Sequence, residues 1–227
     1  MTSRIGRLHI RAALGAMLLA VATPLAAQIG YPSFQQPRIT TREFNFAIAD
    51  ADGEGGPDLT PLVFQWREGI SPRAQLSLDV GIADPDVPDT DLFFIIGGQY
   101  ARELARSRAD MPLDLLLTAG LFGQFGNDIT MISVPVGLSV GHRFPLEGTR
   151  MAITPYAHPR LSLDHIDVGD IDDTEININF DLGGNLEISP QIAIRVSATL
   201  GDFDALGISL AWTPRGLRSP SSVPTTR

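Results

Sequence analysis

From Ile39 onward, apolar residues alternate with polar or small ones along most of the chain, the period of two that a strand with unlike faces produces. Ten such runs predict ten strands, near residues 40–50, 60–69, 74–83, 91–103, 112–126, 130–144, 151–166, 175–188, 191–201 and 205–213. Globular strands average about five or six residues, whereas a strand crossing a membrane obliquely needs about 9 to 11; most of these runs reach the longer figure. The cleanest apolar rows lie in the C-terminal half: Val134, Val136, Leu138, Val140; Ile176, Ile178, Phe180, Leu182; and Ile192, Ile194, Val196, Ala198, Leu200. In a soluble barrel or sandwich such rows point inward, and in a membrane barrel they point outward. Alternation is identical in the two cases, so strand length, charge and aromatics have to decide.

Charge is sorted along the connections. The segments 50–58, 84–91, 127–128, 167–175 and 202–204 hold 16 of the 26 acids and no Arg, while the alternate connections carry Arg67 and Arg73, then Arg102, Arg106 and Arg108, then Arg143 and Arg150. An up-and-down meander places odd and even turns at opposite ends, so the molecule gains one acidic and one basic pole. Trp66, Tyr100, Phe144 and Trp212 sit at strand ends beside the basic pole, where an interfacial girdle belongs. An even strand count returns both ends of the barrel to one side. These features predict an all-β, up-and-down antiparallel transmembrane barrel over residues 39–213, with the apolar rows in lipid, ten strands by this count and eight as the alternative.

Composition narrows the setting. Arg4, Arg7 and Arg11 precede an apolar run from Ala12 to Ala22, and Pro24-Leu25-Ala26-Ala27 offers a small-residue cleavage site, so residues 1–27 read as a signal peptide. All 17 basic residues are Arg; without the leader, 14 face 26 acids, a formal charge of −12, which argues against nucleic acid as a partner. With no Cys, neither disulfides nor thiolate metal sites exist. Residues 28–38 and 214–227 lack periodicity and are rich in Pro, Ser or Thr, so they are expected as flexible ends.

Three stretches carry a family resemblance. Ile153-Thr-Pro155-Tyr156-Ala, then Phe180-Asp-Leu-Gly183-Gly184-Asn-Leu-Glu-Ile-Ser189-Pro190-Gln-Ile-Ala-Ile-Arg, and last Gly207-Ile-Ser-Leu210-Ala-Trp212 together resemble the small bacterial outer-membrane β-barrel domain family, the OmpA- and OmpX-like group. The resemblance covers about a third of the chain. It implies a monomer in the outer membrane of a Gram-negative cell, with outer-membrane lipid and lipopolysaccharide around it. It also implies the barrel-assembly machinery as a partner, because the last stretch looks like the signal read by that machinery, although here some 15 residues follow Trp212. The family commonly has eight strands.

With apolar rows outside, the lumen receives Gln65, Arg67, Asp79, Gln99, Asp114, Gln124, Tyr156, His158, Arg160, Asp164, Asn177, Asn179, Asp181, Asn185, Glu187 and Arg195. Arg160 with Asp181, and Arg195 with Asn185 or Glu187, are compatible in register. A salt-bridged plug follows more naturally than a selective conduction path. Of the mature histidines, His165 lies beside Asp164 near the acidic rim, but neighbours in a strand point to opposite faces and do not form a dyad. Asp50-Ala-Asp52-Gly-Glu54-Gly55 resembles the start of a calcium loop, yet Pro61 stands where the bidentate acid belongs, so solvated turns are expected. Pro135, Pro155 and Pro159 predict bulges on the sixth and seventh strands. No catalytic residue, cofactor or metal is assigned. The expected role is structural, adhesive or small-pore; the alternatives are a secreted soluble barrel or sandwich with an apolar ligand, and an outer-membrane hydrolase.

Overall fold

The computed structural model describes residues 32–53, 58–86, 91–127, 129–168 and 171–214. In chain order the strands are β1 (Arg42–Gly53), β2 (Leu59–Ser71), β3 (Ala74–Pro85), β4 (Phe93–Ala105), β5 (Asp114–Phe125), β6 (Ile129–Gly141), β7 (Phe144–Pro145), β8 (Ala152–Val168), β9 (Ile171–Glu187), β10 (Ile192–Gly201) and β11 (Phe203–Trp212). Each long strand is antiparallel to its chain neighbours, β6 pairs directly with β8, and β1 pairs with β11. That closes a ten-stranded up-and-down barrel, with β7 a two-residue spur on β8. The shortest long strands have 10 residues; at about 3.3 Å per residue and a tilt of about 40° they rise roughly 25 Å, the height of the apolar band on a membrane barrel.

The greasy rows face outward. Val136, Ile178, Phe180, Val196, Leu210 and their neighbours are exposed around the whole circumference, with Ile176 at 72% and Leu206 at 64%. Every position expected in the lumen is buried or half-buried there, so the soluble alternative, which needs these faces reversed, is overturned. At the basic end Phe44 bridges two strands, stacking on Trp212 at 5.6 Å and on Phe64 at 6.1 Å between ring centroids. Trp66 is the cross-strand partner of Phe44, while Tyr100, Phe144 and Trp212 are exposed, which is the expected girdle.

Four expectations need correction or refinement. The acidic segment 167–175 is largely strand: β8 and β9 run to Val168↔Ile171, setting Asp167 opposite Asp172 and Asp164 opposite Glu175. Acids read as loop because they are poor strand formers, but a ribbon standing clear of the bilayer solvates them while the backbone ladder continues. Likewise β1 extends to Gly53, opposite Phe203. Pro135 and Pro159 interrupt pairing without shifting it, since the β5 to β6 register is the same on either side of Pro135 and the β6 to β8 register on either side of Pro159, and Pro155 pairs with Gly184 in an unbroken β8 to β9 ladder. Register shifts occur instead between Gly69 and Ser71 and between Glu103 and Ala105.

The largest correction concerns the amino-terminal segment expected to be flexible. Its described part, Pro32 to Pro37, is packed inside the barrel, with Phe34 only 4% exposed. Glycines make room for it: a Cβ at Gly207 would meet Pro32 at 2.6 Å and Phe34 at 3.0 Å, and one at Gly141 would meet Pro37 at 2.9 Å. The remaining boundary assignments, residues 1–27 and all but the first residue of 214–227, lie outside the described residues.

Candidate functional site

The chemistry-bearing side chains gather in the lumen in three tiers, because the period of two turns every second residue of each strand inward. Nearest the basic mouth, Glu43 of β1 accepts from Arg195 Nη2 of β10 at 2.5 Å, and its other oxygen stands 3.8 Å from Arg67 Nη1 of β2. Arg195 Nε donates to Asn185 Oδ1 of β9 at 3.2 Å, the pairing expected from register. Glu187 lies further out, clamped by Arg143 Nη2 at 2.6 Å.

The middle tier is centred on Asp181. Three cross-strand neighbours, His158, Asp181 and Thr199, lie side by side on β8, β9 and β10. The carboxylate accepts from Arg160 Nε at 2.9 Å and Nη2 at 3.3 Å, from Thr199 Oγ1 at 2.6 Å, and meets His158 Nδ1 at 2.9 Å. The other imidazole nitrogen, Nε2, is 2.8 Å from Thr118 Oγ1. A hydroxyl, an imidazole and a carboxylate thus stand in the order a nucleophilic triad uses. Here the carboxylate is also committed to a guanidinium and a second hydroxyl, and all of these groups are buried. The arrangement cross-links four strands.

Toward the acidic end, Asp164 accepts from Ser162 Oγ at 2.5 Å, from Asn177 Nδ2 at 2.7 Å and from Ser133. His165 turns the other way, with Nδ1 3.0 Å from Thr174 Oγ1 and 3.6 Å from Asp172 Oδ1 at the exposed ribbon. The strand geometry therefore separates Asp164 from His165 as expected. Asp202 accepts the backbone N–H of Ile178 at 2.7 Å. Among the described residues, no cluster of three or more His, Asp or Glu is placed to share a metal ion.

Facing the Asp164 tier, the opposite wall is apolar: Leu59, Val63, Ala83, Phe93, Ile95 and Phe122 form one buried cluster with Phe34. Sequence reasoning missed this half of the lumen because a row of Leu, Ile and Phe on the inner face looks the same as one on the outer. Between the walls, side-chain atoms of Gln65, Gln99, Gln124 and Asn179 are buried without a protein partner, an arrangement that is costly for buried polar groups.

The rim is electrostatically tense. Asp52 is held above the ordinary carboxylate range, chiefly by Asp58 and with help from Asp50. Glu175 is raised first by burial and then by Asp173. At the other mouth, the hydrogen bond to Glu187 raises Arg143.

No family model and no curated protein matches the chain. Among solved structures, it is similar to the β domain of the Bordetella autotransporter BrkA, at 12% identity over 77% of this chain and 99% of that one, with a TM-score of 0.45. It is similar to LpxR from Salmonella typhimurium at 9% identity, over 88% and 95% of the two chains, also with a TM-score of 0.45. A third similar structure is a de novo designed transmembrane β-barrel, at 12% identity over 78% and 98%, with a TM-score of 0.35. Similarity at this level assigns neither family nor activity.

Proposed function

We propose that this chain is a monomeric outer-membrane β-barrel with a structural or adhesive role, whose lumen is closed in the resting molecule. The observation that carries the reading is the double filling of the lumen. The Glu43, Asp181 and Asp164 networks tie its walls together, and residues 32–37 occupy the space beside them. A conducting barrel needs a continuous hydrated path lined by side chains that leave it open. The OmpA- and OmpX-like resemblance of the C-terminal third supports the same placement, as does the apolar band around the outside.

In this reading the basic pole faces the periplasm, since β1 starts and β11 ends there, and the acidic ribbon faces outward. Lipid and lipopolysaccharide surround the band, and the acidic rim shares divalent cations with anionic outer-leaflet headgroups, which relieves the repulsion felt by Asp52 and Glu175. The barrel-assembly machinery reads the last strand, where Leu210 and Trp212 point outward. The test is reconstitution of the chain from Gln28 into planar bilayers, with unboiled gel migration as a check on folding. The expected result is a heat-modifiable band and no steady conductance. Recovery in the soluble periplasm without detergent would reject the reading.

A further inference from the structure

The wall of the lumen recognises the amino-terminal segment through its main chain. Three successive carbonyls are each met by a side-chain donor: Ser33 O by Tyr156 Oη at 3.3 Å and Ser197 Oγ at 3.0 Å, Phe34 O by Arg67 Nη2, and Gln35 O by Ser139 Oγ at 2.5 Å. These donors come from β8, β10, β2 and β6, so they surround the segment. No strand of the sheet pairs with it. Its described backbone N–H bonds are local, from Gln36 to Phe34 O at 3.3 Å and from Arg38 to Gln36 O at 2.8 Å. The segment is therefore held by side-chain donors and apolar packing, and the ring of strands closes without it.

Two further observations show what lies behind it. The inward glycines Gly207 and Gly141 form a cradle for Pro32, Phe34 and Pro37. A cavity between Ser33, Phe34, Gln35, Gln65, Gln99 and Arg160 is edged by unpaired carbonyl oxygens of Gln35, Gln65 and Gln99 side chains. An extended chain takes up about 5 Å by 10 Å in cross-section, the spacing between strands and between sheets. Withdrawing one from this position joins the basic mouth to the cavity and widens the lumen by that cross-section.

We propose that the lumen contains a binding site for an extended peptide, read through consecutive backbone carbonyls, and that residues 32–38 are its resident and releasable ligand. Release toward the basic mouth, where Arg38 stands 3.8 Å from Glu187, opens an ion-permeable path. This rests on the closed-lumen reading above and adds to it what does the closing.

The test is single-channel recording in potassium chloride on three proteins: the chain from Gln28, the same chain lacking residues 32–38, and the chain from Gln28 carrying both Ser139→Ala and Ser197→Ala. Each is first checked for the heat-modifiable band. The full chain is expected to be silent, the deletion to conduct steadily, and the double variant to open at least ten times more often than the full chain. A synthetic peptide of residues 32–38 added from one face is expected to block the deletion variant, and from the other face to have no effect. A folded deletion variant as silent as the full chain overturns the proposal and leaves the closed barrel standing, because the side-chain networks then close the lumen alone. If the deletion does not fold, a silent double variant overturns it equally. Steady conductance of the full chain overturns both readings.

Discussion

Removing the carboxylate of Asp181 provides the sharpest measure of the lumen network. Asp181 is fully buried and receives both donors of Arg160, the hydroxyl of Thr199 and the ring of His158. Asp181→Leu takes from the Arg160 guanidinium, whose side chain is 8% exposed, the carboxylate that accepts two of its hydrogen bonds. Stripping one partner from a buried pair costs about 3–5 kcal/mol, whereas replacing both by apolar groups of similar size is often close to neutral. Asp181→Leu is therefore expected to destabilise the barrel by about 3–5 kcal/mol, and Asp181→Leu with Arg160→Met by less than about 1.5 kcal/mol. With a urea dependence of about 2 kcal/mol per molar, the single variant's midpoint falls by about 1.5–2.5 M. Equilibrium unfolding in lipid vesicles, followed by Trp fluorescence and gel migration, measures both. A single variant that loses less than about 1 kcal/mol, or a double variant that loses as much as the single, would refute the premise that the ion pair is dry and mutually dependent.

Rim acidity predicts a pH effect of definite sign. Asp52 and Glu175 have folded-state values above their ordinary ones, so the folded barrel holds more protons, and their contribution to stability falls as pH rises from about 4 through the raised values; Asp52→Asn should raise the melting temperature at neutral pH, an advantage that shrinks in high salt, and a lowered melting temperature would contradict it. Gly183 faces the Tyr156 ring, so closely that an added Cβ would overlap it; Gly183→Ala is expected to cost about 1–3 kcal/mol by overpacking, read from the same urea curves, and an unchanged midpoint would show the ring free to move. Both tryptophans sit near the basic end of the belt, Trp212 48% exposed and Trp66 half-buried. Lipids brominated near the headgroup should therefore quench their fluorescence more than lipids brominated at the chain end, and the reverse order would put the girdle at the wrong depth.

The period of two, the length of the runs and the sorting of charge determined, without any coordinates, that ten antiparallel strands form an up-and-down barrel with greasy rows such as Ile176 to Leu182 outside. Those properties are local: alternation marks faces, run length marks thickness, and turn charge marks poles. Register pairs that depend only on neighbouring strands were equally legible, as with Arg160 and Asp181 or Arg195 and Asn185. What crosses the barrel was not legible. Thr118 reaches His158 from two strands away, and Arg195 reaches Glu43 across 152 residues of sequence. Phe93, Ile95 and Phe122 turn inward although their composition suits lipid. The segment Pro32 to Pro37 shows no periodicity because it belongs to no sheet; its place follows from the donors and glycines that closure brings around it. Only a closed ring creates an inside, and a position defined by all ten strands at once leaves no signature in any one of them.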